Sequence, residues 1–437
     1  MIDEISFIGS LSLIVLSFVV KDGCFMPGPG MEMIGEEEKK ALLEVIESGY
    51  IYRYGDPKDP RFKRKVWQFE QDFMKYSGAK YAVAVNSGTS ALMAGLWALG
   101  VGPGDEVIVP GYTFVASMSA IIYARAIPIL AEIDESLTLD PADVKKKITP
   151  RTKAIMQVHM LGNPGWISEI QKIAKEKNIY FIEDACQAMG ATYKGRPVGT
   201  YGDFGAFSFN VYKTITGGDG GMLITDKEDT YKRAFAVHDQ GHLPLRQGVE
   251  QGNRTVLGVD FRMTEFTGAV LGAQLKKMPT IIQKMKDNKK RLKSIISNIK
   301  DITFRKLPDP DGETGSLLTF IMPTVESAAK LGKKLGCGVV AQSGWHVYNN
   351  MEHLLGKMTV TKEGCPFTCP YYKGGEVKYT KGMLPRTDDI LKRAINISIG
   401  VVDAGLGSSF GVNVKSTLQE VDEVGKKLRA AIIECLK

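Results

Sequence analysis

Between residues 81 and 225 the chain alternates short apolar runs with amphipathic stretches. The apolar runs are "YAVAVN", "DEVIVP", "AIPILAEID", "KAIMQVHM" and "IYFIED", each six to nine residues and of strand character. Between them lie "SGTSALMAGLWALG", the stretch from Phe114 to Tyr123, "DPADVKKKI" and "WISEIQKIAKEKN", which read as helices. The third of these opens with an Asp cap and a Pro at its first position. Near-continuous apolar strands separated by helices predict an α/β chain with a mostly parallel sheet covered on both faces. The alternation breaks at "GAFSFN" and "GGMLIT", two strands close together around Lys213. A helical tract follows from Thr264 to about Ile299, and the remainder ends in the amphipathic "TLQEVDEVGKKLRAAIIECL". The pattern divides the chain into an apolar extension (1–26), a large domain (27–290) and a small α+β domain (291–437).

The length of 437 residues fits two domains, and 44% hydrophobic with 24% charged residues is ordinary for a packed globular chain. The net charge of +7 is scattered. Its densest cluster, "RFKRK" at Arg61, lacks aromatic interleaving and reads as a solvated face, so no nucleic-acid partner is expected. Six dispersed cysteines are not a disulfide framework and point to a reducing, cytoplasmic setting. "CPFTC" (Cys365, Cys369) lacks a second ligand pair, so no metal is expected. The apolar run "ISFIGSLSLIVLSFVV" (5–20) is slightly short for a span and lacks the basic start of a signal peptide. It reads as an extension upstream of a later start at Met26, in preference to a membrane contact or a packed element.

Ligands of open parallel sheets sit beyond the carboxyl ends of the strands. After "YAVAVN" come Ser87, Gly88, Thr89 and Ser90 at a helix start, where free backbone N–H groups suit an anion. After "IYFIED" come Asp184 and Gln187; after "AFSF" come Ser208 and Lys213; Phe114 stands at another strand end. Taken singly, these read as caps, turn formers and core. As a set they comprise an anion cradle, a carboxylate, a flat ring, a hydroxyl and a lysine, which is what pyridoxal 5'-phosphate requires. "GVGPGD" precedes a strand instead of following one, which argues against a nicotinamide cofactor.

The motifs "VAVNSGTSAL", "PGYTFVAS", "VHMLGNP", "IEDACQAMGATYKGRPVGTYGDFGAFSF" and "KTITGGDGGMLIT" resemble the DegT/DnrJ/EryC1/StrS family of sugar aminotransferases. The resemblance implies the aspartate-aminotransferase fold (type I) and a homodimer with shared active sites. It implies a Schiff-base lysine at Lys213, a partner for the pyridine nitrogen at Asp184 and a neighbour of the ring hydroxyl at Gln187. Phe114 would stack on the ring, and Gly88, Thr89 and Ser208 would hold the phosphate. The implied reaction moves an amino group from glutamate or glutamine to a keto-sugar, a nucleotide-linked one. The alternatives are a sugar dehydratase of the same fold, in which histidine replaces the lysine, and a non-catalytic descendant.

One position departs from the family pattern: "VDFRMTE" carries Asp260 where an Asn reaches the phosphate of the neighbouring subunit. An Asp there would be repulsive unless protonated or turned away. Two unusual stretches, "HDQGHLPLRQGVEQGNR" and "CPFTCPYYKGGEVKYTKG", are expected to shape the acceptor pocket. His238, His242, His346 and His353 fall in or near such regions and are expected to be structural.

Overall fold

The computed structural model describes residues 28–244, 252 and 254–437. The apolar run 5–20 lies outside them. Among the described residues, no helix is long and apolar enough to cross a membrane.

In chain order the strands of the large sheet begin with β1 (Tyr81–Val85), β2 (Glu106–Pro110), β3 (Ile127–Ala131), β4 (Thr152–Val158) and β5 (Tyr180–Asp184). A short hairpin, β6 (Thr192–Tyr193) and β7 (Arg196–Pro197), precedes β8 (Phe204–Ser208) and β9 (Gly221–Thr225). The sheet order is β1-β9-β8-β5-β4-β2-β3. The register between β2 and β3, β2 and β4, β4 and β5, and β5 and β8 is parallel; β9 runs antiparallel to both β8 and β1. The break in the sequence alternation around Lys213 is this reversal: a tight turn, without a crossover helix, returns the chain into the sheet. Antiparallel neighbours need no crossover.

Strands β2, β8 and β9 are buried at every position, which accounts for their continuous apolar runs. The faces are covered by two cores. One contains Phe69, Phe73, Phe207 and Phe209, whose rings meet edge-on at 5.1 to 6.0 Å. The other contains Leu92, Leu96, Met118 and Phe204. The 32-residue helix Glu265–Ile296 leads to an antiparallel sheet of β10 (Thr303–Phe304), β11 (Leu317–Ile321) and β12 (Ala394–Ser398). The first core continues without interruption from Ile155 in the large sheet to Phe320 and Ile395 in the small one. The terminal helix Leu418–Cys435 packs on the long helix and starts with the Thr417/Glu420 capping box.

The stretch from Cys365 to Gly382 is not where the sequence reading put it. Tyr372 Oη donates to Glu106 Oε1 (2.8 Å) at the first residue of β2, and Tyr379 Oη to the Pro128 carbonyl (2.7 Å) early in β3. It therefore braces the amino edge of the sheet, opposite the edge where ligands bind. Buried glutamate and carbonyl acceptors at that edge need donors, and the tyrosines supply them.

Candidate active site

At the carboxyl edge of the sheet lies a cavity of about 450 Å³. Gly88, Thr89, Phe114, Asp184, Gln187, Ser208 and Lys213 all line it, so the seven positions singled out in the sequence come together.

Each is positioned by the end of an element. Ser87 caps the helix Gly88–Ala98, its Oγ accepting from Ser90 N (3.1 Å). The Thr89 N–H has no acceptor among the described residues, as expected in a first helical turn. A Cβ on Gly88 would lie 2.7 Å from Ser208 Cβ and 2.9 Å from Cys186 Sγ, so only glycine allows the turn to approach β8 this closely.

Asp184 ends β5 and is 4% exposed. Its Oδ1 accepts from Cys186 N (3.1 Å) and its Oδ2 from Ser117 Oγ (2.7 Å), which is itself 2.7 Å from Thr113 Oγ1. A buried carboxylate so held keeps a fixed orientation. Along β5 side chains alternate, so Glu183 faces the other way. It accepts the N–H groups of Gly199 (2.8 Å), Tyr201 (2.6 Å) and Gly202 (2.8 Å) and lies 3.0 Å from His159 Nε2. Gly165 N donates to His159 Nδ1 (3.0 Å), so Nε2 bears the hydrogen that Glu183 accepts. This brace sets the end of β5 from behind. Gln187 Oε1 accepts from Leu161 N (3.2 Å), which leaves its amide N–H groups for a ligand.

Lys213 sits in the turn between β8 and β9. Asn210 Oδ1 accepts from Tyr212 N (3.0 Å), and the Lys213 carbonyl accepts from Gly30 N (3.2 Å). Its amine has no hydrogen-bond acceptor among the described residues. Burial lowers the Lys213 pKa from the ordinary lysine value, against the opposing influence of Cys186, Asp184 and Asp403. The Cys186 thiol is pushed up, chiefly by burial and then by Asp184.

The sequence reading missed several lining residues. Ser117 could have been found as the position three after Phe114, on the same helix face. Trp345 and Asp403 carry no local signal, and His346, expected to be structural, lines the cavity with them, since tertiary folding brings all three from beyond residue 340. His238 is fully buried with Nδ1 on the Phe235 carbonyl (2.5 Å), and His353 is exposed. Asp260 is exposed and ion-paired with Arg262, whose Nη1 also donates to the buried Asp239 (2.7 Å). Its charge is thus turned onto a guanidinium. Among the described residues no group of three His, Cys, Asp or Glu side chains is arranged to hold a metal.

A family model described as the DegT/DnrJ/EryC1/StrS aminotransferase family matches residues 32–346. The chain belongs to this family. Relatives of this DegT/DnrJ/EryC1/StrS member include the GDP-perosamine synthases of Escherichia coli O157:H7 and Caulobacter vibrioides. The first is 37% identical over 265 residues, 60% of this chain and 70% of that protein. The second is 39% identical over 242 residues, 55% of this chain and 62% of that protein. The chain thus spans about two thirds of the length of these relatives. The X-ray structure of the aminotransferase from Psychrobacter cryohalolentis superposes with a TM-score of 0.75 at 25% identity, covering 95% of this chain and all of that one. The sheet order with its single reversed strand is accordingly that of the pyridoxal-phosphate-dependent fold type I.

Proposed function

We propose that the protein is a pyridoxal-phosphate-dependent aminotransferase that moves an amino group from glutamate or glutamine to a keto-sugar, the sugar being nucleotide-linked. The observation that carries this reading is one cavity holding an unpaired, partly buried lysine beside a fixed carboxylate and a helix start. The residues present fit the cofactor: Gly88 lets the helix start close on Ser208, and Thr89 N–H, Ser208 Oγ and the Gln187 amide are donors without described partners.

When bound, pyridoxal phosphate supplies an aldehyde that captures an amine and a ring that accepts the electron pair left by a departing proton. Gly88, Thr89 and Ser208 would hold its phosphate, and Phe114 would offer a flat face to its ring. Asp184, kept in place by Ser117 and Cys186, would hold a proton on the ring nitrogen. Gln187 would donate to the ring hydroxyl. Lys213 would hold the aldehyde, and its amine, once free, would move the proton of the donor's α-carbon. A lowered pKa raises the share of free amine near neutral pH, which suits general-base work.

In this reading residues 27–290 form the cofactor-binding domain and 291–437 the small domain, two copies pair as a homodimer, and the enzyme works in the cytoplasm. Fractionating cells that express the chain with and without residues 1–26 tests the last point. Lys213 disfavours the dehydratase alternative. The test is borohydride reduction followed by peptide mapping, together with Lys213→Ala. The expected outcome is cofactor fixed to Lys213, and a variant without the visible absorbance of the bound aldehyde and without turnover of 4-keto-6-deoxyhexoses linked to GDP, UDP or dTDP. Attachment elsewhere, or turnover by the variant, overturns the reading.

A further inference from the structure

Two segments from the small-sheet side complete the cavity, and neither carries a group assigned to the cofactor. One is the loop bearing Trp345 and His346, the other the turn after β12 bearing Asp403. The loop is fixed to the strand end that presents Phe114: Thr113 N donates to the His346 carbonyl (2.9 Å), Val115 N to the Trp345 carbonyl (2.9 Å) and Tyr348 N to the Gly111 carbonyl (3.1 Å). The Phe114 ring centroid is 5.3 Å from that of His346 and 6.5 Å from that of Trp345. The three rings form one continuous aromatic wall.

Each side chain retains an unused face or atom. Trp345 lines the cavity yet is 60% exposed, an unusual state for the largest amphipathic ring. His346 Nδ1 lies 2.9 Å from Ser343 Oγ, and Nε2 has no partner among the described residues. Burial and the neighbouring Lys213 push the His346 pKa down to about 3, so the imidazole is neutral. Asp403 Oδ1 accepts from Gly405 N (2.7 Å), while Oδ2 has no partner among the described residues.

A sugar offers a C–H face and a rim of hydroxyls. A flat indole covers the first; a carboxylate oxygen, which only accepts, and a neutral imidazole take the second. We propose that Trp345, His346 and Asp403 form the subsite for the amino-accepting sugar, with its apolar face on Trp345 and the hydroxyls beside the reacting carbonyl bound by Asp403 Oδ2 and His346 Nε2. This rests on the aminotransferase reading above and adds which residues distinguish the sugar from the amino-acid donor.

The two half-reactions are separable by cofactor absorbance. Glutamate bleaches the aldehyde form, and a keto-sugar restores it. The probes are glutamate and the 4-keto-6-deoxyhexoses linked to GDP, UDP or dTDP, with the variants Trp345→Ala, Trp345→Phe and Asp403→Asn. Asn retains the acceptor for Gly405 N–H, so the turn keeps its cap. Trp345→Ala and Asp403→Asn should each raise the KM of the best sugar about tenfold more than that of glutamate, and Trp345→Phe should recover most of the loss. Trp345 is one of four tryptophans, and sugar binding should quench a fluorescence component that Trp345→Phe lacks. Equal effects on both half-reactions, or quenching that persists in Trp345→Phe, overturns the subsite. Failure of wild type to bleach with glutamate or glutamine instead overturns the aminotransferase reading itself.

Discussion

Asp184 shows how much one residue depends on others that do not touch the ligand. Its carboxylate oxygens are both occupied, by Ser117 Oγ and Cys186 N, so its orientation is set before any ligand arrives. Removing the Ser117 hydroxyl leaves one buried oxygen without its donor, a loss of roughly 1–3 kcal/mol. Ser117→Ala should therefore lower kcat about tenfold and weaken retention of the cofactor, with KM for the sugar little changed. Stopped-flow absorbance and dialysis of the holoenzyme measure both. A purely structural role would lower the melting temperature and leave kcat unchanged. Asp184 itself was legible from its place after a strand. Ser117 was not, because a serine inside a helix has many ordinary uses.

At the scale of elements, the site depends on braces behind the strands. Arg53 and Glu70 form a buried pair (2.8 Å). Glu70 Oε1 also accepts from Ala84 N (2.8 Å), and Arg53 Nη1 donates to the Ala84 carbonyl (3.1 Å). The pair thus clamps the helix Lys65–Ser77 and the loop before it to β1, whose end leads into the Gly88 cradle. Glu70→Ala leaves a buried guanidinium uncompensated and should cost about 3–5 kcal/mol. Urea unfolding of the holoenzyme should show the loss as a lower midpoint. The helices and strands around this clamp were legible as runs and periods. The clamp was not, since charged residues in sequence read as solvated until packing buries them.

At the scale of the whole molecule, Glu32 joins the start of the described chain to its end. It is 3% exposed, and Oε2 accepts from Val414 N (3.2 Å). Burial, only partly offset by that N–H and by Lys415, raises its pKa from 4.5 to about 7. A carboxyl raised on folding favours the protonated folded state. It therefore opposes folding progressively as pH rises from 4.5 to 7, and fully above that. Glu32→Gln should stabilise the protein by about 2–3 kcal/mol at pH 8 and have no effect below pH 4.5. Melting curves across that range check the crossover; a gain independent of pH would contradict it.

The sequence alone determined the strands, the helices and the residues at strand ends, because burial on both faces and capping leave local patterns. It thereby determined that Lys213, Asp184 and Gly88 stand together at one edge of the sheet. Tertiary structure decided what lies across from them. The stretch 365–382 went to the amino edge of the sheet, while Trp345, His346 and Asp403 came to the cavity. Such placement follows from packing between segments far apart in the chain, and no local period records it.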